Sequence, residues 1–173
     1  MLFDGVSDND LETIVQYLQE AKLLYGHPML IPIMVMEILN QYSSWFRNTL
    51  ERTLCELEVH LGVTRGRPQV LPWNDPEAID RLGMHIGRCN ALMTSLIYHE
   101  RRLEFLRTFA DDILSILALP KTPLLPLERA SELSMACLTL EETTRNCITL
   151  TRNQIHQVLC LQKRSGALSN VVS

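Results

Sequence analysis

The hydrophobic and polar positions of this chain follow a helical period over four segments that are separated by short breaks. In the first segment, apolar side chains recur three or four residues apart from Leu11 to Leu24. That spacing places them along one side of an α-helix. Gly26 suits the left-handed position that ends a helix, and Pro28 prevents its continuation. The pattern predicts a first helix over about residues 8–25.

The stretch GHPMLIPIMVMEILNQY, residues 26–42, combines two prolines with an almost continuous apolar run. Proline is tolerated in the first turn of a helix, where its missing N–H has no partner to lose. The apolar run 29–36 is interrupted by Pro32 and closed by Glu37, whereas a bilayer span needs about 20 residues. We therefore interpret this stretch as the buried start of a helix over about residues 28–61.

Two further helical patterns follow a proline-containing loop at residues 63–75. The first begins at Pro76, directly after an N-capping aspartate, and is predicted to cover residues 76–119. The second is predicted over about residues 126–164. The sequence as a whole predicts an all-α fold: an elongated antiparallel bundle of three long helices plus a shorter N-terminal helix, with coiled-coil-like packing, in a single domain of residues 1–173.

The fourth helix has the most polar stripe of the four. It alternates Thr144 and Thr151 with Ile148 and Ile155, which is too polar for a dry core and too apolar for free solvent. Such a stripe suits packing against the central hairpin on one side and a weak, wet contact with copies of itself on the other. We expect these four residues to form an interaction surface that a charge at Ile148 or Ile155 would abolish, leaving the helical content intact.

Two details of the helices lead to further expectations. Gly83 and Gly87 lie inside the third helix, where each costs about 1 kcal/mol relative to alanine. We expect them to mark a close approach of the second helix near Leu50 and Leu54. The tail that follows Gly166 is expected to be frayed.

The charge and the cysteine content of the chain indicate which partners and which cellular compartment to expect. The net charge is −4 and no tract is dense in lysine or arginine, so a nucleic-acid partner is not expected. The five cysteines form no C-x-x-C pair and are interpreted as reduced thiols of a cytoplasmic protein. The N-terminus is acidic and does not resemble a secretory signal, and no segment is expected to insert into a membrane.

No catalytic motif, metal site or cofactor site is predicted. His99 and Glu100 resemble half of an H-E-x-x-H motif, but Leu103 occupies the position of the second histidine. His85 and Cys89 share a helix face without further ligands. The catalytic, cofactor and metal residues are therefore predicted to be none, and the chain is not expected to be an enzyme.

Three other groups of residues have two interpretations each. The acid pairs Asp111-Asp112 and Glu141-Glu142 could hold a hard cation between subunits or form a solvated helix face. The Met29, Met34 and Met36 run suits either core packing, which we favour, or an adaptable binding face. Trp73 is expected to be a packing anchor, with an exposed contact as the alternative.

Two stretches resemble a known family. HPMLIPIMVMEILNQYSSWFRNTLERTLCELEVHLG, residues 27–62, resembles the H-P-L-L-[IL]-P-x-x-x-x-E helix of fungal CorA-like magnesium-transporter proteins. RLGMHIGRCNALMTSLIYHERRLEFLRTFADDIL, residues 81–114, is similar to the next long helix of that family, above all in its R-R-L-E-F-L core at residues 101–106. The order of the two helices and the proline-containing turn also agrees.

The resemblance implies the cytosolic helical portion, or a truncated relative, of a CorA-like divalent-cation transporter. Its role would be gating or assembly as a weak homo-oligomer, with weak Mg²⁺ association and the fourth helix as the stalk. The α/β region, the transmembrane segments and the Gly-Met-Asn signature of the family are absent from these residues, so no pore residue is implied. The alternative is an α-helical protein-interaction module without a transport role.

Overall fold

The computed structural model of the chain contains four helices: α1 (Asp8–Glu20), α2 (Leu30–His60), α3 (Pro76–Leu117) and α4 (Leu127–Val172). It describes residues 8–21, 24, 27–61, 63, 76–119 and 127–172. Helix accounts for 94% of that part of the chain, which contains no strand. The predicted all-α architecture of three long helices and one shorter helix is confirmed.

Helix boundaries differ from the prediction in all four helices. The first helix ends at Glu20 rather than near residue 25, and the third ends at Leu117 rather than near residue 119. The second helix begins at Leu30, because Pro28 lies in a turn that the Leu30 N–H closes on the His27 carbonyl oxygen at 3.1 Å. The fourth helix does not end near residue 164 but continues through Gly166 to Val172. The expectation of a frayed tail is therefore wrong for the residues up to 172.

Packing explains why α4 continues through its glycine. Ser165 and Leu168 are buried on either side of Gly166. A Cβ added at Gly166 would meet the Met93 side chain at 3.8 Å, an ordinary contact distance. The burial of this last segment offsets the cost of a glycine inside a helix, which propensity alone does not predict.

The chain forms two compact units, and the three long helices each contribute a segment to both. Unit 1 comprises Met1–Gln41 and Leu106–Thr151, and unit 2 comprises Tyr42–Phe105 and Arg152–Ser173.

The core of unit 1 is built from α2, α3 and α4, and α1 packs against it. Met34 and Met36 are buried and Met29 is partly buried, so the expected core role of these methionines is confirmed. Partly buried residues of α1 contribute from the outside, among them Ile14 and Leu18. The buried cluster consists of Leu30, Ile33, Met34, Met36, Ala110, Ile113, Leu140, Cys147 and Ile148.

In unit 2, α2 and α4 run parallel to each other and antiparallel to α3. The pairing of α2 with α3 follows from the 5.1 Å distance between the ring centroids of Phe46 and His99 and from the contact of Glu56 with Arg88 at 3.8 Å. The core lies between the three helices, and among its buried residues are Leu50, Leu54, Leu57, Cys89, Leu92, Leu96, Leu103, Val158, Leu161 and Leu168.

The expected close approach at the glycines is wrong. Gly83 and Gly87 are exposed, and a Cβ added at either would meet nothing within 4 Å. Neither glycine therefore serves to bring helix backbones together. Their physical effect is to make this part of α3 a weaker helix former.

Candidate interaction surface

The four residues predicted to form a self-contact lie inside the chain. Thr144, Ile148, Thr151 and Ile155 are between 0% and 8% exposed. The Thr144 hydroxyl donates to the Leu140 carbonyl oxygen of its own helix at 2.7 Å. Their burial contradicts a role of these side chains in contacts between copies. The stripe is polar because its threonines are satisfied within the chain, not because it meets water.

In unit 1 this polar stripe joins a small buried network. The Thr151 hydroxyl oxygen lies 2.8 Å from Asn40 Oδ1 and 2.8 Å from the Cys147 carbonyl oxygen. Burial, with nearby Glu37 adding to it, raises the pKa of the Cys147 thiol to about 11, and a hydrogen bond from Asn40 opposes this shift. Burial also raises the pKa of Glu37, which accepts a hydrogen bond from the Tyr17 hydroxyl. These contacts fix α1, α2 and α4 rather than build a reactive site.

The most unusual surface is a group of exposed aromatic side chains in unit 2. Tyr42 is 44% exposed, Trp45 66%, Tyr98 67% and Phe105 68%. Tyr42 and Trp45 lie one turn apart on α2, while Tyr98 and Phe105 lie two turns apart on α3. The 3.6-residue period therefore puts each pair on one side of its helix.

The contact between Phe46 and His99 brings the two pairs to the same level of unit 2. Trp45 is adjacent to Phe46 and Tyr98 is adjacent to His99, so Trp45 and Tyr98 lie at the same height. Because α2 and α3 are antiparallel here, Tyr42 and Phe105 are both displaced from that contact toward the same end. The four rings thus line the outer face of the α2–α3 pair.

Two arginines lie between the α3 aromatics. Arg101 and Arg102 are exposed, one turn after Tyr98 and one turn before Phe105. The surface formed by Tyr42, Trp45, Tyr98, Arg101, Arg102 and Phe105 is called the aromatic–arginine face below. It combines large apolar rings with the planar hydrogen-bond donors of guanidinium groups.

His99 lies directly behind this face and is buried. Neither of its ring nitrogens makes a hydrogen bond of normal geometry. Burial is the main cause that lowers the pKa of His99 to about 4, and the charges of Arg102 and Arg47 add to it, while the backbone of Ser43 opposes it. The ring is therefore neutral near pH 7 and acts as a core residue.

A histidine–cysteine pair that the sequence did not predict occurs in unit 1. His27 Nε2 lies 3.1 Å from Cys137 Sγ, across 110 positions of the chain. His27 Nδ1 accepts the Met29 N–H at 3.2 Å, which leaves the proton of the neutral ring on Nε2. The imidazole thus donates to the sulfur and cannot take up the thiol proton in this tautomer. This geometry anchors the start of α2 to α4 and does not arm a nucleophile.

An ionic network joins α2 to α4 in unit 2. Arg164 pairs with Glu58 at 2.8 Å and lies 3.9 Å from Glu51, which in turn pairs with Arg47 at 3.1 Å. Hydrogen bonds to Glu58 and then to Cys55 raise the pKa of Arg164. A shallow groove of about 290 Å³ runs beside the network. Because carboxylates already occupy both guanidinium groups, we assign the network a structural role.

The remaining candidates from the sequence are not brought together. Asp111 and Asp112 are exposed, and Glu141 pairs with Arg145 of its own helix at 2.7 Å. In the described part of the chain, no three potential ligands are grouped closely enough to hold a metal ion. Trp73 lies outside the described residues. Within the helices that the structure describes, none is long and apolar enough to cross a bilayer.

No family model, curated protein or solved structure matches this chain.

Proposed function

We propose that this chain is an α-helical protein-interaction module that binds its partner through the aromatic–arginine face. The observation that supports this function is the grouping of four exposed aromatic side chains with two arginines on one side of unit 2. Tyrosine, tryptophan and arginine are the residues most enriched among the energetic hot spots of protein interfaces.

The composition of this face is unusual for a surface without a partner. Single exposed apolar residues are normal on soluble proteins and need no explanation. Grouped aromatics are different, because each ring carries a large apolar area whose exposure to water is unfavourable. Trp45, Tyr98 and Phe105 each leave about two-thirds of the side chain exposed, and Tyr42 leaves 44% exposed. A binding surface accounts for their presence.

A photocrosslinking experiment tests this function. A photoreactive amino acid is placed at Tyr98, on the face, and separately at Asn153, an exposed position on α4 of the same unit. In cells that make the protein, we expect protein adducts from position 98 and not from position 153. Adding Trp45→Ala should remove those adducts. Equal adducts at both positions, or none at position 98, would contradict a binding role for the face.

The second proposal is the cytosolic gating or assembly portion of a CorA-like divalent-cation transporter. It is supported by the resemblance of residues 27–62 and 81–114. Most of these residues fall on α2 and α3, and the parts of these two helices that lie in unit 2 pair with each other. Burial of the fourth-helix stripe leaves this proposal without the self-contact surface that it implied. A cytoplasmic location, which both proposals share, fits the five free thiols.

Magnesium distinguishes the two proposals. For the interaction module, MgCl₂ should change the melting temperature no more than NaCl of equal ionic strength. A rise in melting temperature that is specific to Mg²⁺ would favour the transporter proposal, because a ligand that binds only the folded state stabilises it.

A further inference from the structure

We infer that the aromatic–arginine face docks onto unit 1 of a second copy of this chain. This inference rests on the proposed function and names the partner. Unit 1 contains twelve aspartates and glutamates against five lysines and arginines, whereas unit 2 contains eight against eleven. The formal charges of −7 and +3 add up to the −4 of the whole chain. The two units of one sequence are thus complementary in charge.

Unit 1 also presents two exposed apolar side chains on α4 beside an exposed carboxylate. On α4, Met135 is 66% exposed and Leu138 is 59% exposed. Glu142, one turn beyond Leu138, is exposed as well. Because these residues lie three and four positions apart, they occupy one stripe of the helix. This acidic stripe of Met135, Leu138 and Glu142 is the surface that fits the face.

The chemistry of the two surfaces matches group by group. A methionine thioether and a leucine side chain pack favourably on aromatic rings. The carboxylate of Glu142 is a partner for Arg101 or Arg102, whose guanidinium groups bind carboxylates in a bidentate manner. By contrast, two aromatic–arginine faces would place arginines against arginines. The charge pattern therefore favours a heterologous contact over a symmetric contact of the face with itself.

The area of the aromatic–arginine face indicates how strongly two copies should associate. An aromatic residue buries about 150–250 Å² when fully covered. With roughly half to two-thirds of each ring exposed, the four rings offer on the order of 400 Å². Together with the arginines, this lies at the low end of specific interfaces. The association should be weak and strengthened by low salt, and each copy carries one of each surface.

Sedimentation velocity on the full chain tests the inference with two variants. The face variant carries Trp45→Ala and Tyr98→Ala. The stripe variant carries Leu138→Ala and Glu142→Lys. All four positions are exposed, so both variants should keep the wild-type circular dichroism spectrum and melting temperature. The wild type should form dimers or larger species as its concentration rises, and each variant alone should remain monomeric.

Mixing the two variants gives the decisive result. One variant keeps an intact stripe and the other keeps an intact face, so an equimolar mixture should form heterodimers and nothing larger. A monomeric wild type, or a mixture that remains monomeric while the wild type associates, would overturn the inference. The proposed function would survive that failure if position 98 still crosslinked to a different protein. It would fail as well if position 98 gave no adduct.

Discussion

At the scale of single residues, burial decides which side chains are chemically available. Cys89, Cys137 and Cys147 are buried, whereas Cys55 and Cys160 are exposed. The sequence indicated only that all five thiols lie in helices. Which face of the helix each occupies depends on the neighbouring helices, so the sequence alone did not separate the two groups.

Thiol labelling follows from this difference. In the native protein, an aromatic disulfide reagent should react rapidly with two thiols and slowly with three. The buried group includes Cys147, whose pKa is raised to about 11. Because the thiolate is the reactive species, labelling of Cys147 should require unfolding. A variant with Cys55→Ser and Cys160→Ser should lose the rapid phase, and rapid labelling of that variant would contradict the burial.

The lowered pKa of His99 predicts that the folded state loses stability in acid. Its pKa falls from 6.5 to about 4 on folding, so below pH 6.5 the unfolded state binds more protons than the folded state. Stability should therefore fall as the pH drops from 6.5 to 4, and this residue contributes about 3 kcal/mol of that loss. Denaturant unfolding of His99→Leu should show a correspondingly smaller loss than the wild type.

The control for this experiment is His156→Gln at an exposed position. It should reproduce the pH dependence of the wild type. A pH dependence of His99→Leu that equals the wild type would show that His99 is not the group responsible.

At the scale of helices, the period of the hydrophobic residues predicted the type and order of the elements. It did not predict how much of each apolar stripe the neighbouring helices cover. The apolar pattern of α2 includes Tyr42 and either Trp45 or Phe46. The structure leaves Tyr42 and Trp45 exposed and Phe46 partly buried. Periodicity defines a stripe, whereas the neighbouring helices decide how much of its width they cover. The pair of His27 and Cys137 shows the other limit, since no local pattern relates residues 110 positions apart. Coiled-coil-like packing stays a prediction.

Replacing the two exposed glycines should stabilise α3. The Cβ that Gly83→Ala or Gly87→Ala would add has no neighbouring side chain within 4 Å. Each should raise the free energy of unfolding by about 0.5–1 kcal/mol, because alanine has the higher helix propensity. Thermal denaturation measures this effect. A lower melting temperature in either variant would mean that the glycine has a role that requires its missing side chain.

A charge in the polar stripe of α4 should now unfold the protein. Ile148 belongs to the core of unit 1, where an aspartate would have no partner of opposite charge prepared for it. The cost of burying a charge or of opening the core is several kcal/mol, comparable to the whole stability of a domain. Ile148→Asp should lose helical circular dichroism at 25 °C. Its exposed neighbour Thr149 is the control, because Thr149→Asp should remain folded.

At the scale of the whole molecule, the total net charge does not show how the charged residues are divided between the two units. A value of −4 gave no reason to expect a basic surface, yet the folded chain gathers its excess of basic residues in unit 2. The sequence order mixes the two units, because each long helix passes from one into the other. Only the pairing of the helices shows which residues belong together.

The central claim is that the aromatic–arginine face exists for binding and not for folding. One paired measurement tests it most directly: the melting temperature and the position-98 crosslinking of the variant that carries Trp45→Ala and Phe105→Ala. Both side chains are more than half exposed. We predict an unchanged melting temperature and a loss of the crosslinked adduct. A lowered melting temperature with the adduct retained would contradict the claim, because it would assign these rings to the core of unit 2.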